Sequence, residues 1–198
     1  MANSAAIAAA GKSIERLLNA AFENHPPIEG KNTHAVLVRT DDFKDANVGN
    51  VIGSPALSIF LFRIDFNKTM RAAWSAVGYH EGRAHLALDL HYLLTAWADN
   101  AEHEHLIMGE ALQTLETTPI FGGALLYPSS DWGANECLQL VMEEVSTEAL
   151  MRTFDSLPTD YRLSVPYIAR VLRVDGRQRQ PDVPVTTLVD GLMPSPRL

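Results

Sequence analysis

Cysteine is almost absent: Cys137 is the only one in 198 residues, so no intrachain disulfide can form. Placed on an apolar strand, it reads as a small hydrophobe rather than a nucleophile, and its solitude points to folding in a reducing compartment. Long hydrophobic runs are missing too. Nothing approaches the ~20 apolar residues of a membrane span. The first residues, "MANSAAIAAAGKSIERLL", lack the charged segment and continuous apolar core of a secretion signal. Basic residues are in deficit, with 16 Lys and Arg against 24 Asp and Glu and a formal net charge of −8. That balance argues against a phosphate-binding surface. Nucleic acid and membrane are not expected partners, and assembly in the cytoplasm is expected.

The usual chemical motifs are lacking as well. No H-E-x-x-H and no G-x-S-x-G occurs, and "GNVIGS" (49–54) and "FGG" lack the Lys-Ser/Thr of a phosphate loop, so both read as turns. Glu143 and Glu144 are adjacent on a strand and point to opposite faces, which is no acid–base pair. No cofactor is expected.

What is present is a pattern of helices and strands. Ile7, Ala10, Ile14, Leu17, Leu18 and Ala21 share one helical face, opposite Lys12, Arg16, Asn19 and Glu23, with Asn3 or Ser4 as cap. Strands are predicted over 33–40, 57–67, 85–98, 135–145 and 161–175. In 57–67, Phe60, Phe62, Ile64 and Phe66 fall on one face and Arg63 and Asp65 on the other. Pro166 restricts the last strand to an edge or a bulge. "DDFKDANVGNVIGSP" reads as a polar loop. A second main helix runs from Ala101 to about Thr117, capped by Asp99 or Asn100, and a short one follows Ser146. The order predicts an α+β domain over 1–175, a mostly antiparallel β-sheet packed against two main α-helices. Residues 176–198 read as an extended C-terminal arm punctuated by proline.

The histidines pose the sharpest question. His103 and His105 are two apart on a helix, about 200° from each other, and cannot share an ion. On the strand 85–98, His85, Asp89 and His91 share one face, the ligand set a metal-dependent hydrolase would need. Ala87 and Leu93 lie on that face too, and no further ordered ligand follows, so a solvated or interface face is the favoured reading. Leu106 stands apart: it lies opposite the apolar stripe of its helix, beside Glu102, Glu110 and Gln113; a lone exposed leucine is ordinary on a surface, and an interface role is the sharper reading.

The order of segments carries more. "LSIFLFRIDFN" with "MR" just after, "LDLHYLLTAWA", "EHEHLIMGEALQTLETTPIF" and "YRLSVPYIARVLRVD" together resemble the N-terminal cap-protein family of extracellular contractile injection systems, the antifeeding-prophage type. The match runs over residues 4 to 175, and Leu88–Leu94 and Glu104–Leu115 are its most specific blocks. The resemblance implies a phage tail-terminator-like fold and a non-enzymatic homohexameric ring. That ring would sit on the last layer of inner tube protein and contractile sheath protein, end polymerisation, and become part of a tail-like particle. Arg63, Asn67 and Arg71 around the first hairpin, Leu106, and Val183, Val185 and Leu188 of the arm are the expected partner-binding residues. "NKTMRAAW" departs from the shorter turn of the family pattern, and Pro166 interrupts its last strand. A generic oligomeric adaptor on the same fold remains the third reading.

Overall fold

A computed structural model describes residues 3–44, 47–70 and 85–176. Helix α1, Ala6–Asn24, buries Ala6, Ala10, Ile14, Leu18 and Phe22, a repeat of four that keeps one stripe on the core. Its cap is not the expected one. Ala5 takes the N-cap position without a side-chain bond, and Asn3 instead accepts the Ala5 N–H at 2.8 Å, bracing the approach two residues before the cap. Helix α2, Ala101–Thr117, has the predicted bounds. The Asn100 side chain accepts the His103 N–H at 2.9 Å, and Ile107, Met108, Ala111 and Leu115 face the core. Helix α3, Thr147–Asp155, starts at Ser146, whose hydroxyl accepts the Ala149 N–H.

The strands are β1 His34–Val38, β2 Ala56–Phe66, β3 His85–Trp97, β4 Ile120–Gly122, β5 Cys137–Met142 and β6 Ser164–Asp175. They form one sheet in the order β1-β2-β3-β6-β5-β4. Only β1, beside β2, is parallel; the other four pairings are antiparallel. The α+β class is therefore as the sequence implies. Helices α1 and α2 cover one face, where Leu57, Ile59, Leu90, Tyr92, Leu94 and Leu140 meet them. On the other face Phe43, Ile52, Phe60, Leu93, Trp97 and Phe154 form a second, smaller core under α3 and the 40–52 segment. That segment is a 3-10 turn and a π turn rather than a loop. It closes at Gly53, whose φ of 74° suits a residue without a Cβ.

Three expectations fail in the sheet. A bulge between Leu61 and Arg63 breaks the alternation of β2. Phe60 and Phe62 stay on the α3 side, and Arg63, opposite His91, joins them there, whereas Ile64 and Phe66 lie opposite Leu90 and Leu88 on the helix side. Paired residues share a face, so the apolar set is split in two. Second, the turn expected at "FGG" is β4 plus a short 3-10 turn. Third, β6 is an inner strand. Pro166 lies where β5 runs out, its carbonyl accepting the Glu143 N–H, and the β6 bulge falls further on, between Ala169 and Leu172.

The outer edge of β1 is closed by α1. Asn19 brackets Ala35, donating to its carbonyl and accepting its N–H at 2.9 Å each, and Glu15 accepts the Leu37 N–H at 3.1 Å. An edge whose donors and acceptors are already met is a poor template for another strand. Two polar residues on the solvent side of the helical wheel thus seal an edge.

Candidate interaction surfaces

The end of the sheet beyond the small core carries a polar network. His91, on β3, is buried. Its Nδ1 stands 2.7 Å from Glu143 Oε2 and its Nε2 3.3 Å from Asp65 Oδ2. Arg63 lies against the imidazole and is itself paired with Asp65 at 3.0 Å and Glu143 at 3.2 Å. Lower on the same face, the Asn67 amide donates to both oxygens of Asp89 at 3.1 Å, while its own oxygen accepts the Met70 N–H. His85 Nδ1 pairs with Asp175 Oδ1 at 2.5 Å, and Arg173 holds the same carboxylate. Arg63 and Asn67 are thus engaged within the chain: one locks β2 to β3 and Glu143, the other ties the residues after β2 to Asp89 and Met70.

This geometry overturns the metal-site reading. His85, Asp89 and His91 do share a face, but six residues of strand separate the two histidines, about 20 Å. An ion held at ~2 Å from each ligand cannot bridge that gap. Each of the three also has a protein partner. Among the described residues, no group of three His, Cys, Asp or Glu is placed to hold a metal. The concavity here, about 410 Å³ and lined in part by Asp65, Asn67, Asp89 and His91, is a shallow depression over ion pairs. Cys137 is exposed at the β5 end of the sheet.

The second surface is the outer face of α2. Leu106 is 46% exposed there, as the wheel predicts, with Glu102 and Gln113 exposed on the same face. The third is apolar. Ile64, Phe66 and Leu86 are exposed on the helix side of the sheet, beyond the reach of α1 and α2. The bulge in β2 creates this patch, and no sequence pattern signals it. Arg71, Val183, Val185 and Leu188 lie outside the described residues.

Comparison with known proteins gives this arrangement a context. The profile of the Pvc16 N-terminal domain matches residues 9–187. Among solved structures, the chain is similar to the sheath/tube terminator, in its extended state, of the extracellular contractile injection system PVC. The TM-score is 0.50 at 20% identity, over 94% of this chain and 64% of that one. It is also similar to the tube terminating cap of the anti-feeding prophage, with a TM-score of 0.54 at 20% identity, over 91% of this chain and 60% of that one. At that identity the likeness is one of fold, and the chain spans less than two thirds of the length of either structure. No curated protein matches it by sequence. No helix of the described residues is long and apolar enough to cross a membrane.

Proposed function

The chain belongs to the Pvc16 N-terminal domain family, and from that premise we propose that it is a structural terminator of a contractile injection particle. In this reading it sits on the last layer of inner tube and sheath and stops both from growing. The match over residues 9–187 carries the reading, and the terminator fold of the two solved neighbours supports it. The network around His91 supports it from the other side. Its histidine is buried and its arginine and carboxylates are paired with one another, an arrangement suited to bracing β2 against β3 and the end of β5.

Several finer elements belong to the same proposal. The chain acts as a homohexameric ring, since a six-fold tube end calls for six copies and a closed ring repeats one heterologous contact. It assembles in the cytoplasm, works without catalysis, and binds neither nucleic acid nor membrane. Leu106 meets a partner directly. Arg63 and Asn67 act by fixing the end of β2 and the residues up to Met70, Arg71 follows them as a partner contact, and Val183, Val185 and Leu188 of the 176–198 arm contact sheath. Electron microscopy of particles assembled with and without the chain tests the whole reading. Six copies at the particle end, and tubes of uncontrolled length in their absence, are expected. Any other copy number at that end, or unchanged tube length without the chain, overturns it.

A further inference from the structure

The outer face of α2 holds a helix-interior glycine that nothing in the fold requires. A Cβ added at Gly109 would meet no atom within 4 Å. Glycine is, after proline, the least favourable residue inside a helix, so its presence here weakens α2 with no packing reason. Leu106 projects one turn earlier on the same exposed face, and residues three apart on a helix are neighbours. A projecting leucine beside a position with no side chain lets the backbone of another chain lie close against the helix. Glu102 and Glu110 flank Leu106 four residues to either side, and among the described residues neither has an ion-pair partner. A groove of about 530 Å³ lined by His25, Glu110, Gln113 and Thr114 prolongs this face towards the end of α1.

Charge decides what fits. A second copy would have to bring cations to Glu102 and Glu110, yet among the described residues most Lys and Arg side chains already have an acidic partner within the chain. Lys12 pairs with Glu15, Lys31 with Asp99, Lys44 with Asp41, Arg152 with Glu148 and Arg162 with Glu104. With a net charge of −8, two such chains repel wherever acidic faces meet. We infer that the α2 outer face docks a cationic protein surface at the end of the tube–sheath particle and is not the contact between copies of this chain. An apolar pocket takes Leu106, main chain lies over Gly109, and basic side chains reach Glu102 and Glu110. The inference rests on the terminator reading and names the face through which it acts.

The test uses tube–sheath particles assembled without this chain, to which purified full-length chain is added. Binding is read by co-sedimentation, and self-association of the free chain by light scattering. Glu102→Lys combined with Glu110→Lys is expected to weaken particle binding by at least about ten-fold at low salt, with self-association unchanged. Gly109→Ala is expected to raise the thermal midpoint of the free chain while lowering particle binding, a pair of effects that loss of folding cannot produce. Variants that bind particles like the wild type, or that lose self-association instead, overturn the assignment. Wild-type chain that leaves the particles unbound overturns the terminator reading, and this face with it.

Discussion

His91 Nδ1 and Glu143 Oε2 stand 2.7 Å apart, joining β3 to the residue after β5 across the intervening β6. The contact passes over Pro166, which lies opposite Leu93 on β3 and next to Glu143. It ties β3 to the end of β5 by side chains where the backbone ladder between β5 and β6 has ended.

Removing Glu143 should therefore cost more than removing the other carboxylate on the imidazole. The His91 side chain is 4% exposed, so Glu143→Ala strands a buried polar group at a cost of roughly 1–3 kcal/mol. Asp65 has a side chain 52% exposed, and Asp65→Asn should cost no more than about 0.5 kcal/mol. Urea denaturation of the two variants compares them. Equal losses would show that Glu143 does not organise the network.

Tyr92 and Tyr167 face each other across β3 and β6 in the main core, and neither hydroxyl has a partner among the described residues. Burial pushes the Tyr167 phenol up to about 12, with the Glu116 charge adding to it, and burial alone raises Tyr92 further. Both phenols thus stay protonated in the fold while the unfolded chain ionises near 10. Their contribution is complete below pH ~10 and is lost as pH rises through and beyond ~12. The Tyr92→Phe, Tyr167→Phe double variant should lose less stability than the wild type between those values. At neutral pH, Tyr92→Phe should raise stability by ~1 kcal/mol, because it deletes an unpaired buried hydroxyl. A neutral-pH loss of that size would mean that the hydroxyl has a bonded partner, such as a buried water.

The elements read correctly from sequence are those whose signal is local. α2 has a capping asparagine and a repeating apolar stripe, and both ends fall where those features predict. β3 alternates cleanly because its register to β2 and β6 leaves its own chain regular. The misses were set by partners far away in sequence. The β2 bulge is visible only against β3, and it moved Ile64 and Phe66 to the other face. β4 is three residues long with a glycine at its end, and pairing with β5 rather than composition makes it a strand. Of the proposed contact residues, exposure of Leu106 was legible on the helical wheel. The ion pairs that occupy Arg63, and the distance that separates His85 from His91, needed the sheet.

Gly11 sits where space is short. A Cβ there would stand 3.0 Å from Leu37 Cδ2 and 3.3 Å from Cδ1, at the contact between α1 and β1. Gly11→Ala should be close to neutral, because Leu37 is only half-buried and can turn aside while the helix gains propensity. Gly11→Val forces the two elements apart and should cost about 1–3 kcal/mol. Thermal denaturation of both variants checks this. A Val variant as stable as the wild type would mean that β1 rides loosely on α1.

Truncation after Gln180 separates the fold from the arm. Leu172 is the last fully buried apolar residue of the described chain and β6 ends at Asp175, so every described core residue precedes the cut. The truncated chain should keep its thermal midpoint within about 2 °C, since no mechanism for a large loss is engaged. Val183, Val185 and Leu188 leave with the deleted segment, a short β-branched run, "VPVTTLV", of the kind that gains affinity by adding to an open sheet edge. The chain's own β1 edge is met by Asn19 and Glu15, which makes it a poor template for an added strand. If the arm fills the edge that the next sheath layer would use, particles capped by the truncated chain should shed sheath while keeping the ring on the tube. Sheath retention is read by electron microscopy and by the sheath-to-tube ratio of purified particles. A truncated chain that folds, binds the tube and holds sheath as firmly as the full chain removes the arm from the mechanism.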